Sequence, residues 1–231
     1  MKNNLTEKDI KTINKWAEKY GIKELKINDE KIFNLKQLCI FDTNIKHIPA
    51  AIFKLPNPKS LSIYCNNLNR LPKEIGDLIK LKELDIISRC LIELPKEIGN
   101  LSNIKKLSIY CENLKQLPKE IGDLINLKEL SIYCKNLKSL PNEIEKLTNL
   151  ESIHIESENL KQLPKEIHNL IKLKRFDIDC PNSENFPDGI AKLINLETIY
   201  IINSNGKLNL QYLIGGIVKL NNLKSLYLDI E

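Results

Sequence analysis

The sequence is short of most things that catalysis or membrane insertion requires. One Trp, one Met and three His are present, and aromatics make up 6% of 231 residues. A single thick core draws heavily on large rings, so their scarcity favours a core made of thin repeated layers. There is no glycine-rich phosphate loop and no H-x-x-x-H pair, and the six cysteines show no C-x-x-C metal spacing. No apolar stretch is long enough for a signal peptide or a membrane span, and the amino terminus MKNNLTEKDIKTINKW is charged throughout. The expected compartment is therefore the cytoplasm, although signal-free export, as used by injected effectors, would leave no trace in these residues. Runs of like charge are missing as well. The net charge of +5 arises from 35 Lys and Arg against 30 Asp and Glu, in mixed pairs such as Lys73-Glu74, Lys96-Glu97, Lys119-Glu120 and Lys165-Glu166. Such pairs decorate a solvated surface, and they argue against a nucleic-acid partner.

What is present is a period. Apolar residues reach 42%, mostly Leu and Ile, enough to build a core. Prolines fall at Pro49, Pro72, Pro95, Pro118, Pro141, Pro164 and Pro187, each 23 residues after the last. Around them the frame is constant: an apolar residue before the Pro, Ile three after it, Leu three further on, then usually L-x-x-L-x-I. One copy reads Ile104, Leu107, Ile109, Leu114, Leu117, Pro118, Ile121 and Leu124.

L-x-L alternation is a strand with one buried face, and P-K-E-I-G-D-L reads as a helical first turn opened by Pro, with Glu where the dipole favours an anion. No such unit can bury its own apolar edge, so the units must stack. Strands are expected near 23–28, 36–41, 59–64, 82–87, 105–110, 128–133, 151–156, 174–179, 197–202 and 224–229. At about 4.8 Å per strand, such a sheet runs roughly 45 Å along its arc.

The pattern LxxLxLxxNxLxxLPxxIxxLxx resembles that of the leucine-rich-repeat superfamily, in the 23-residue class found in bacterial proteins and in plant intracellular Ras-group-related proteins. The resemblance runs from about residue 22 to the end. It implies an α/β solenoid, a curved right-handed coil. About ten parallel strands would line its concave face, with short helical turns on the convex side. It also implies a protein-binding scaffold with no fixed partner. The effector ubiquitin ligases of that superfamily carry a large catalytic domain absent from this sequence.

The ends depart from the repeat. Thr6-Glu7-Lys8-Asp9 reads as a helix start, with Ile10, Ile13, Ala17 and Tyr20 on one face and Gly21 as the stop. Residues 1–21 are thus expected to form a capping helix on a single solenoid domain, 22–231, with Trp16 part of that packing rather than at a ligand. The first unit, Ile22 to Asn34, is short. The unit starting at Leu196 has four extra residues, around Asn203 to Gly216, and Gly215-Gly216 reads as a turn there. The sequence stops directly after a strand, so either it is a fragment, or something covers that edge, a second copy or a partner, or the end is left frayed.

Numbering each unit from its first Leu, the ninth position holds Arg89, Glu112, Lys135 and Glu158 where the superfamily has an inward Asn. Asn stands one place later, at Asn44, Asn67, Asn113, Asn136, Asn159, Asn182 and Asn205, with Cys90 as the exception. The eighth position holds Cys65, Ser88, Cys111, Cys134, Ser157 and Cys180. A strand two residues longer than usual would turn positions eight and ten inward and nine outward, making the Asn row an internal hydrogen-bonding ladder. The cysteines then read as buried thiols in a reducing compartment, with a disulfide or metal bridge between Cys111 and Cys134 as the alternative.

Positions three, five and seven should line the concave face. Position seven reads Phe41, Tyr64, Ile87, Tyr110, Tyr133, Glu156, Asp179 and Ile202. Exposed rings in a row are the residue type that dominates protein interfaces, though they can also stiffen a sheet. Acids on the same face are Glu24, Glu83, Asp85, Glu129, Glu156, Asp177, Asp179 and Asp229, against Lys26, Lys106 and Arg175, a net of minus five on a positive chain. This face should repel phosphate backbones and favour a basic, apolar protein partner.

The candidate partner-binding residues are therefore Phe41, Tyr64, Ile87, Tyr110, Tyr133, His154, Glu156, Asp177, Asp179 and Tyr200. His47 and His168 lie on other parts of other repeats, and His154 beside acids reads as a surface pair rather than a catalytic site. No enzyme activity, metal, cofactor or membrane contact is expected. A structural or self-associating element working through the last strand, or a bacterial effector or regulatory scaffold, is the second reading, and an enzyme with a diffuse site the third.

Overall fold

The computed structural model describes residues 5–22, 25, 34–56, 58–184, 188–204 and 210–230. Helix α1 spans Glu7–Lys19. Thr6 caps it: the Asp9 amide donates to Thr6 Oγ1 at 3.2 Å, and the Thr6 amide donates back to the Asp9 carboxylate at 2.9 Å. This reciprocal pair satisfies two amides that the helix start leaves open. Ile13 and Ala17 are fully buried, and Trp16 packs on the core while its indole N–H donates to the His47 carbonyl at 3.0 Å. Gly21, at φ +67°, ends the helix in the left-handed region that glycine enters without a Cβ clash. Lys54 donates to Asp9 at 2.9 Å and ties the helix to the first repeat.

Nine parallel strands follow in chain order within one open sheet: β1 Gln37–Phe41, β2 Ser60–Tyr64, β3 Glu83–Ile87, β4 Lys106–Tyr110, β5 Glu129–Tyr133, β6 Ser152–Glu156, β7 Arg175–Asp179, β8 Thr198–Asn203 and β9 Ser225–Ile230. All nine fall where the repeat places them. The further strand expected at 23–28 lies outside the described residues. Register follows the period, with Leu84 opposite Leu107 and Ile86 opposite Ile109. These four side chains are fully buried, so a slip by one residue would turn them all to solvent.

Each of β1 to β7 is followed by a single 3-10 turn, such as Lys73–Asp77, Lys96–Asn100, Lys119–Asp123 and Asn142–Lys146. The proline stands just outside the turn rather than inside it. Pro95, at φ −64° and ψ 141°, is extended and hands the chain on. Adjacent turns approach closely at Gly99, where a Cβ would lie 2.6 Å from the Glu120 carbonyl oxygen. The four extra residues of the unit that starts at Leu196 accommodate helix α2, Leu210–Ile217, so Gly215-Gly216 is helical and not a turn. Its Leu213 and Ile217 are buried, and a helix meets its own backbone hydrogen bonds where an open loop would not.

The strand does not lengthen as the displaced Asn row suggests. Its backbone ladder continues one residue, with the Cys65 amide donating to Ile87 and the Cys111 amide to Tyr133. The chain then turns at positions nine and ten. Position eight accordingly points inward: Cys65, Cys111, Cys134 and Cys180 are fully buried, and Ser88 and Ser157 are 1% exposed. Among the described residues position ten is exposed or, at Asn136, half-buried, because alternation ends with the strand and Leu68, Leu91 and Leu114 take the buried place next to it. Its Asn side chains still form a ladder, but along the rim. Asn113, Asn136 and Asn159 each donate to a carbonyl 24 residues earlier, at 2.7, 2.9 and 3.1 Å.

The internal polar work falls to position eight instead. Ser88 donates to the Leu68 carbonyl at 2.7 Å, Ser157 to Leu137 at 2.9 Å, and buried Asn203 to Cys180 and Ser183 at 3.0 and 2.8 Å. A second ladder, unforeseen, precedes the strands: Asn103, Asn126, Asn149, Asn195 and Asn222 each donate to a carbonyl of the preceding unit at 2.7 to 2.8 Å. Position nine faces solvent as expected and pairs across repeats, Arg89 with Glu112 at 3.1 Å and Lys135 with Glu158 at 3.0 Å. The described residues include all six cysteines, and no disulfide joins them.

Candidate functional site

Strand pleating places positions three, five and seven on the face opposite the core, and parallel register aligns them into rows. All ten candidate residues occur there. They do not form one continuous strip. Phe41, 72% exposed, meets Tyr64 at 6.0 Å between ring centroids with planes tilted by 52°. Ile87 is half-buried between that pair and the next.

Tyr110 and Tyr133 stack at 4.2 Å with planes 6° apart. From there the ring row leaves position seven. Tyr133 stacks next on His154, which stands at position five of β6, at 4.5 Å and 28°. The row steps sideways because Glu156 follows Tyr133 at position seven, whereas the imidazole offers a flat face.

His154 leads to charge. Its Nδ1 lies 3.7 Å from Asp177 Oδ2, and Arg175 Nε donates to the same oxygen at 2.6 Å. Asp177 is 3% exposed. Burial pushes its carboxyl up, but His154 and the Arg175 guanidinium outweigh that and hold it below the usual range. Glu156 is exposed and Asp179 half-buried in the neighbouring row. Burial raises Asp179, with the Asp229 carboxylate adding to the rise and His154 opposing it.

Tyr200 continues position five beyond Asp177 and stacks on Tyr227 at 4.6 Å and 11°. Tyr227 was not among the expected residues. It stands in the same row as His154, Asp177 and Tyr200, and following that row past Tyr200 finds it in the sequence. Of the other acids, Glu129 pairs with Lys106 at 3.6 Å and Asp85 accepts from Ser62 at 3.3 Å, while Glu24 and Lys26 lie outside the described residues. Among the described residues, no group of three or more His, Cys, Asp or Glu could hold a metal ion, and no helix is long and apolar enough to cross a membrane.

A family model for a leucine-rich repeat region matches residues 17–139 and 116–231. No curated protein matches the chain. A leucine-rich-repeat protein of Leptospira interrogans is 28% identical with a TM-score of 0.63, over 86% of this chain and 55% of that one, so the chain spans about half its length. The leucine-rich repeat domain of the type III effector XopL has 22% identity and a TM-score of 0.70, over 87% of this chain and 72% of that one. Internalin C2 of Listeria monocytogenes has 18% identity and a TM-score of 0.64, over 95% and 92% of the two chains. These last two share the fold. With a 23-residue frame, a parallel sheet in chain order and a family match over most of its length, the chain belongs to the leucine-rich-repeat family.

Proposed function

We propose that the chain is a protein-binding module that docks a partner with a basic and apolar surface on its strand face. The observation that carries this is the ring row from Tyr110 through Tyr133 to His154, which lies on the open side of the sheet and ends among carboxylates. Flat rings already held by their neighbours lose little freedom on binding, which favours them as anchors worth about 2 kcal/mol or more. The acid excess on the same face opposes a phosphate backbone and attracts cations. Catalysis has no comparable support, since His154 and Asp177 are engaged with each other, Tyr133 and Arg175.

The test is affinity capture from lysate with the wild-type chain and with Tyr64, Tyr110 and Tyr133 all changed to Ala. A partner held by the first and lost by the second supports the reading. One retained by the triple variant and released by substitutions on the 3-10 turns overturns it.

A further inference from the structure

The face over β6 to β9 combines three features that converge on one kind of ligand. Its walls are aromatic: the Tyr133 and His154 stack on one side and the Tyr200 and Tyr227 stack on the other. Between them lies Asp177, register partner of both His154 and Tyr200, at the usual inter-strand spacing of about 4.8 Å on each side. Glu156 and Asp179 are register partners in the next row and flank it. Among the described residues neither has an ion pair, in contrast to Glu129, which Lys106 neutralises.

The second feature is an unmet acceptor. Asp177 is 3% exposed, and while its Oδ2 receives Arg175, its buried Oδ1 has no hydrogen-bond partner. His154 Nε2, also buried, has none either. A buried carboxylate oxygen without a donor is incompletely compensated, so a further cation over Asp177 is favoured. The third feature is the kind of cation these carboxylates suit. Among the described residues no group of three or more His, Cys, Asp or Glu could hold a metal ion, so an organic cation that hydrogen-bonds fits better.

We propose that this part of the face is a binding site for an arginine side chain presented by a protein partner. The guanidinium is a flat cation that stacks on rings and donates in a fixed fork, so it suits ring walls beside two carboxylates better than the compact ammonium of lysine. Its charge is met by Glu156 and Asp179, and its plane lies against Tyr200 or the Tyr133 stack. The inference rests on the strand face being the protein-binding surface and names the side chain it recognises.

The experiment is an NMR titration of the full chain, following the His154 ring, with Nα-acetyl-arginine amide, its neutral isostere Nα-acetyl-citrulline amide, and calcium chloride. Arginine amide should give a saturable shift, weakened about fivefold in a Glu156→Gln, Asp179→Asn double variant, with citrulline amide giving none. Absence of a saturable shift, or an equal response to citrulline amide or to calcium, overturns it. Loss of a captured partner on changing Tyr64, Tyr110 and Tyr133, together with a failed arginine titration, would remove this inference and leave the proposed function standing. Arginine binding without tyrosine-dependent capture would leave the arginine site standing and overturn the tyrosines as anchors of the face.

Discussion

Tyr110 and Tyr133, register partners on adjacent strands, lie face to face with centroids 4.2 Å apart and planes 6° from parallel. Burial, and then the neighbouring Tyr133 phenol, push the Tyr110 hydroxyl up to about 12. An unfolded tyrosine ionises near about 10, so the folded state prefers the neutral phenol. Its contribution is fully present below about pH 10 and is lost as pH rises towards 12. Urea midpoints across that range should fall less steeply for Tyr110→Phe than for the wild type.

The same stack should couple energetically. In a double-mutant cycle of Tyr110→Ala and Tyr133→Ala, the two losses of stability should differ from additivity by about 0.5–1.5 kcal/mol. Strict additivity in urea unfolding would mean that the rings touch without stabilising one another.

Two glycines should respond in opposite directions. A Cβ on Gly99 would lie 2.6 Å from the backbone oxygen of Glu120, so Gly99→Ala must push two 3-10 turns apart, at a cost of about 1–3 kcal/mol. Gly215 sits in α2 with nothing within 4 Å of such a Cβ, and Gly215→Ala should stabilise by about 0.5–1 kcal/mol. Equilibrium denaturation of both variants checks the pair.

Thiol reactivity should divide the cysteines two against four. Cys39 and Cys90 are exposed, whereas burial pushes the Cys65 thiol up to about 11, Cys134 and Cys180 to about 12, and Cys111 well above its ordinary value. Ellman's reagent on the native chain should therefore modify two thiols quickly and the rest only in denaturant. Rapid native modification of Cys111 or Cys134 would contradict the packed eighth position.

Acid should loosen the amino-terminal cap. A hydrogen bond from the Thr6 backbone, followed by those from Lys54 and the Thr6 hydroxyl, lowers the Asp9 carboxyl to about 2. Because the folded value lies below the unfolded one, the stabilisation is present above about pH 4 and disappears as pH falls towards 2. Thermal unfolding of Asp9→Asn should show a smaller loss across that interval than the wild type.

The strands, their faces and the capping helix were legible because each rests on a local rule, and every copy of the unit repeats it. Leu84 and Ile86 must point inward wherever the pleat alternates, and Thr6 with Asp9 caps a helix in any fold. Position ten departs from the local rule for the converse reason. Whether Asn136 points into the core depends on where the strand stops, and Leu137 beside it claims the buried place. Gly215-Gly216 failed similarly, since a local turn signal yields to an α-helix covering a solenoid layer.

Of the candidate face, the sequence by itself determined which side chains share it, because a period of 23 and a pleat of two leave no freedom in the address of Tyr110, Tyr133 or Asp177. Only the tertiary structure decided what those neighbours do to one another. The ring row leaves position seven for His154, Arg175 takes one oxygen of Asp177 and leaves the other unmet, and Tyr227 pairs with Tyr200. Register sets which Cα atoms are adjacent. Rotamers, packing and desolvation between strands set which atoms meet, and none of these is written in a repeat.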